Sequence, residues 1–130
     1  MEPKLVTPAG LLGVQQELEQ REPIFHRPEF GSTRDDFDAM MDSEFWEVGA
    51  SGRRYSREFV LDVASTRPPE TDENIWRTEG FHCRQIAPDV FLLTYTLHQS
   101  ARVTRRATLW RRARSGWQVL YHQGTIVEAA

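Results

Sequence analysis

An α+β domain is the fold class this sequence predicts, with helices in its first half and an antiparallel meander in its second. Three observations predict it. Up to Arg67, apolar residues recur at helical spacing between prolines. From Ile75 onward they alternate, and short polar breaks divide the chain into four runs. The last two runs flank Ser115-Gly116, a pair that tolerates positive φ and can turn a hairpin. At 130 residues, 39% apolar and 27% charged, the chain is sized for one domain over residues 1–130, its core over about 9–127.

Pro8 precedes a first helix over residues 9–21, in which Leu11, Leu12, Val14 and Leu18 fall near helical spacing. Pro23 closes or bends it. Residues 22–32 contain Pro23, Pro28 and Gly31 and read as an ordered loop anchored by Ile24, Phe25 and Phe30. Thr33 is an N-cap for a short second helix, with Asp35 and Asp36 at its positive end and Phe37, Met40 and Met41 as its apolar stripe. Residues 44–49 alternate as a strand, Trp46 and Val48 on one face, Phe45 and Glu47 on the other. Residues 50–53 turn the chain. Ser56 caps a third helix in which Phe59, Val60, Val63 and Ala64 share a face, and Arg67-Pro68-Pro69 stops it. A charged loop over residues 70–74 leads to strands at 75–87, 90–98, 103–113 and 117–127.

A two-residue loop at Ser115-Gly116 sets Trp110 opposite Tyr121, Thr108 opposite Gln123, Leu109 opposite His122 and Ala107 opposite Gly124. One face then carries Phe91, Leu93, Tyr95, Thr108, Trp110, Val119, Tyr121 and Gln123. Aromatic with polar groups at intervals, it suits a sheet face lining a small cavity under helices. The other face, with Leu92, Thr94, Leu109, Leu120 and His122, suits a second sheet in a dimer. A bulge at either turn exchanges the two assignments.

A net charge of −3 gives no general attraction to nucleic acid or an anionic membrane. Of the 16 basic residues only Lys4 is a lysine. Alternation sends Arg105 and Arg111 to one face and Arg106 and Arg112 to the other, so they form no phosphate-binding stripe. Cys83 is the only cysteine, which excludes an internal disulfide and a cysteine-based zinc site. His26, His82 and His98 lack ligand spacing, and the acidic run from Asp35 to Glu44 lacks the glycine of a calcium loop, so no metal is expected. Ser51-Gly52 is too short to be a phosphate loop, and no cofactor is expected. Residues 1–6 hold no apolar signal-peptide region and no later run approaches membrane length, so a cytoplasmic setting is expected.

Four segments carry a resemblance: Glu47-Val-Gly-Ala-Ser-Gly-Arg-Arg-Tyr55, Leu92-Leu-Thr-Tyr95, Arg106-Ala-Thr-Leu-Trp-Arg111 and Gly116-Trp-Gln-Val-Leu-Tyr-His-Gln-Gly-Thr125. In this order they resemble the nuclear transport factor 2-like superfamily, near its ketosteroid isomerase-like and SnoaL-like groups and the domain of unknown function 4440 family. The resemblance covers about residues 11–127. It implies a cone-shaped α+β barrel, with three helices packed on the concave face of a strongly bent antiparallel sheet, usually dimeric, with an internal pocket. It implies no single activity, because the superfamily hosts isomerases, cyclases, dehydratases, hydrolases and pure binding modules.

No Asp or Glu lies between Val103 and Val127, and the first helix has no tyrosine, so the acid and base of a ketosteroid-type isomerase have no obvious equivalents there. Glu47 and His122 remain the candidate catalytic groups. Glu47 is a base or acid if burial perturbs it, or else a structural partner of Arg53, Arg54 or Tyr55. His122 can relay a proton, or else bonds at a strand end or dimer contact. Trp46, Tyr55, Tyr95, Thr108, Trp110, Tyr121 and Gln123 are the expected ligand-pocket residues. Two functions are open: a pocket protein, dimeric through its sheet, that binds an apolar or aromatic small molecule between helices and sheet; or a non-catalytic dimerisation module with a side-chain-filled cavity. The volume of that cavity discriminates them.

Overall fold

The computed structural model describes residues 1–68 and 76–128. A 3-10 turn at Ala9–Leu11 leads into α1 (Leu12–Glu19), and a second at Pro28–Phe30 precedes α2 (Arg34–Met40). Then follow β1 (Met41–Val48), β2 (Arg54–Ser56), α3 (Arg57–Thr66), β3 (Arg77–Ala87), β4 (Val90–His98), β5 (Val103–Ala113) and β6 (Gly116–Ile126). The expected loop over 70–74 and the expected strand start at Ile75 lie outside the described residues. No helix among the described residues is long and apolar enough to cross a membrane.

The helix starts follow from their caps. Thr33 Oγ1 accepts from the Asp36 N–H at 3.1 Å while Asp36 Oδ2 accepts from the Thr33 N–H at 3.1 Å, a reciprocal capping box. The Thr33 backbone N–H, then that of Ser32, holds the Asp36 carboxyl below its ordinary range. Ser56 Oγ accepts from the Phe59 N–H at 3.1 Å and opens α3. Met41 departs from expectation: it is the extended C-cap of α2 and the buried first residue of β1, so helix passes into strand without a loop. The short β2, pairing Tyr55 with Glu47, was not legible either.

The strands run β2-β1-β6-β5-β4-β3 in one open sheet. Every neighbouring pair is antiparallel except β1 and β6, which are parallel, so the expected antiparallel barrel is in detail an open mixed sheet with β2 and β3 as its outer strands. Phe45, Phe91, Leu93, Tyr95, Trp110 and Val119 supply the sheet side of the core. Leu18, Ile24, Phe25, Phe37, Val60, Leu61 and Ala64 supply the helix side. Burying each such large side chain contributes roughly 1.5–3 kcal/mol.

One inserted residue corrects the expected hairpin register. Trp110 stands opposite Val119, yet Leu109 stands opposite Tyr121, leaving Leu120 as a β-bulge. Past the bulge the alternation reverses. His122 stands opposite Thr108, and Gln123 opposite Ala107. His122 therefore joins Trp110 and Thr108 on the helix-covered face, whereas Tyr121 and Gln123 turn to the outer one. Trp46, opposite Tyr121 across β1 and β6, is also on the outer face and 43% exposed, not in a pocket.

Candidate functional site

His122 on β6 lies between Glu47 on β1 and Thr108 on β5, all three on the concave face. Its Nδ1 is 2.9 Å from Glu47 Oε2. With the carboxylate accepting, Nδ1 carries the hydrogen of this bond. The Nε2 of His122 and the hydroxyl of Thr108 are both buried without a hydrogen-bond partner among the described residues. A carboxylate–imidazole pair of this kind can orient a hydrogen-bonding group or hold a proton at Nε2. His122 is only 3% exposed, so solvent does not reach it freely. The pairing replaces the partners expected for Glu47 from the turn, Arg53, Arg54 and Tyr55.

The second polar cluster is one that sequence reasoning missed. Glu22, three residues beyond the end of α1, is fully buried at 0% exposure. Tyr95 donates its hydroxyl to Glu22 Oε1 at 2.7 Å, and Trp110 Nε1 donates to Oε2 at 3.1 Å. Arg27 Nε donates to the Glu22 carbonyl at 2.8 Å. Burial first, then the neighbouring charge of Glu22, pushes the Tyr95 phenol well above its ordinary value of 10, which keeps it a donor. Phe81 stacks on the Tyr95 ring at 4.7 Å. Tyr95 and Trp110, expected as pocket walls, are thus packed against the loop that follows α1. The space left beside Trp110, Val119, Ile24 and Phe25 is about 10 Å³, no more than one water.

The remaining expected pocket residues lie elsewhere. Tyr55 stacks on Phe59 at 5.0 Å beside the sheet edge. A Cβ at Gly49 would come within 2.7 Å of the Tyr55 ring, so glycine lets that ring close over the β1–β2 turn. Trp46 meets Tyr121 edge-on at 4.9 Å, and Tyr121 donates to Gln123 Oε1 at 2.7 Å. Gln123 lines an outer-face hollow of about 300 Å³ with Thr94, Thr96, Arg105 and Thr125. The register also sets Leu92, Leu109, Tyr121 and Trp46 opposite one another in turn, an apolar row across four strands. The structure thus brings together Glu47, His122 and Thr108 inside, Tyr95 and Trp110 inside around Glu22, and Trp46, Tyr121 and Gln123 outside. Among the described residues no cluster of three or more His, Cys, Asp or Glu side chains could hold a metal.

No family model matches the chain, so the narrower likeness to the domain of unknown function 4440 family gains no support, and no curated protein matches it either. Solved structures do. A protein of the domain of unknown function 3225 family from Pectobacterium atrosepticum is similar with a TM-score of 0.68 and 16% identity, over 98% of this chain and 99% of that one. A candidate calcium/calmodulin-dependent kinase II association domain from Exiguobacterium sibiricum is similar at 0.63 and 19%, over 100% and 99%. A nuclear transport factor 2-like protein from Cytophaga hutchinsonii is similar at 0.62 and 10%, over 94% and 100%. These identities speak to architecture alone, and on that the helices, the bent sheet and near-complete coverage agree: the chain has the nuclear transport factor 2-like fold.

Proposed function

We propose that this protein is a self-association module, pairing with a second copy of the same chain through its outer sheet face. The observation that carries the reading is the outward row of Leu92, Leu109, Tyr121 and Trp46, with Trp46 43% exposed. A contiguous apolar and aromatic patch on an open sheet face has the composition of an interface centre. A two-fold pairing presents one patch to itself. The filled interior supports the same reading, since about 10 Å³ beside Trp110 holds no ligand. Light scattering tests it. The parent is expected to run at twice its 15.1 kDa chain mass in the micromolar range, and Leu109→Lys at the single mass with its near-ultraviolet dichroism intact. A parent that stays at the single mass throughout overturns it.

A second reading rests on a different observation, the unpartnered His122 Nε2 and Thr108 Oγ1. Buried polar atoms are rarely left unpaired, so the pair favours an apolar or aromatic small molecule with one polar group on the concave face. On this reading the Glu47–His122 pair orients the ligand and carries no reaction. Thr108→Val puts a methyl where the hydroxyl has no partner, so the variant is expected to melt at or above the parent temperature. It is also expected to lose any ligand-induced shift in a metabolite thermal-shift screen. A large destabilisation by valine, or a screen with no shift in the parent, removes this reading.

A further inference from the structure

The outer-face hollow of about 300 Å³ lies further along the strands than the apolar row. The register builds it from two lines of side chains. Thr94, Ala107 and Gln123 stand opposite one another on β4, β5 and β6, and beside them Thr96, Arg105 and Thr125 do the same. Ala107 is the smallest of the six and makes the floor. Thr94 and Gln123, about 10 Å apart across two strand spacings, make the walls. Arg105 closes one end. The next side chain, Arg106, belongs to the concave face, where its Nε would lie 3.6 Å from a Cβ at Gly124.

The groups around the hollow are mostly donors. Among the described residues Arg105 makes one hydrogen bond, from Nη1 to Thr96 Oγ1, which leaves the N–H groups of Nε and Nη2 for a ligand. Gln123 Oε1 already accepts from the Tyr121 hydroxyl, so the amide N–H groups are what Gln123 has to offer. Thr94 and Thr125 add two hydroxyls. The one acid in the described lining is Glu2, whose carboxylate comes only within 3.7 Å of Arg105 Nη2 and whose side chain is 84% exposed. A pair so long and so open to water is easily displaced.

We propose that this hollow binds a sugar acid, its carboxylate on Arg105 and its hydroxyl groups between Thr94 and Gln123. A guanidinium is a planar fork that takes a carboxylate in two parallel hydrogen bonds. Glu2 marks the place, since a carboxylate of the chain itself already lies beside this group, held more loosely than a bidentate ligand would be. Threonine hydroxyls and a carboxamide line the walls, and they match ligand hydroxyls, which both donate and accept, better than an apolar ring. The site uses one chain only, so it does not depend on self-association.

Gluconate is the probe, read by amide chemical-shift titration of the parent at Thr96, Ala107 and Gln123 with the sodium concentration held constant. Sorbitol, which has the hydroxyls without the charge, and hexanoate, which has the charge without the hydroxyls, are the controls. Saturable shifts are expected with gluconate, about tenfold tighter than with either control. Arg105→Gln is expected to abolish them, and Glu2→Gln, which removes the competing carboxylate, to bind at least as tightly as the parent. No saturable shift with gluconate up to about 10 mM, equal affinity for gluconate and either control, retained binding in Arg105→Gln, or weaker binding in Glu2→Gln each overturns the site. The comparison of the three probes needs no variant, so it decides even if Arg105→Gln folds poorly. Oligomeric mass is a separate readout, so this site and self-association stand or fall apart.

Discussion

At the scale of single residues, the buried carboxylate of Glu22 does more than either group the sequence singled out. It takes two donors from strands 73 and 88 residues further along, Tyr95 and Trp110, and so ties the end of α1 to the middle of the sheet. Tyr95→Phe leaves one of its buried oxygens short of a donor and is expected to cost about 1–3 kcal/mol in urea unfolding. The phenol also sets an alkaline limit. Its folded pKa is raised, so its contribution is complete below the unfolded value of about 10 and is lost as pH rises beyond it. Unfolding midpoints that fall above pH 10 in the parent, but less steeply in Tyr95→Phe, are the expected result. Nothing near Glu22 in sequence announces this role, because both partners reach it only through tertiary folding. Glu47 was legible as a carboxylate to watch, whereas its partner was not: His122 faces inward only because of a residue inserted two positions before it.

At the scale of elements, caps were legible and irregularities were not. Thr33 and Ser56 start their helices because their side-chain oxygens meet backbone N–H groups three residues on, a pattern written in local sequence. Ser56→Ala is expected to destabilise the fold by about 0.5–2 kcal/mol in denaturant titration. The Leu120 bulge has no such local mark, yet it decides which side chains β6 turns inward. Without it, Tyr121 and Gln123 would face the helices, as the two-residue turn alone predicts. Of the expected pocket residues, Thr108, Trp110 and Tyr95 kept the face assigned to them because β4 and β5 pair without a shift. Tyr121 and Gln123, one and three residues past the bulge, lost theirs.

At the scale of the whole molecule, the fold class was legible because periodicity changes from helical to alternating after α3. The parallel β1–β6 pair was not, since its strands are joined by no short turn and are separated in sequence by β2, α3, β3, β4 and β5. The proposed self-association belongs at this scale too: the space beside Trp110 is small, and the outer face offers apolar surface. The position of β6 has one more consequence, for how the chain is made. Of the described strands it is made last, and it joins β1 and β2 to the other three. Until residues 116–126 emerge, Phe45 and Met41 lack the strand they pair beside, and β1 and β2 stay unattached to the rest of the sheet. Assembly of the sheet is therefore expected to wait for β6, and a nascent chain stopped at the β5–β6 turn should remain open to protease along β1. A cut within β6 would sever the sheet, where a cut at β2 or β3 would only trim its edge.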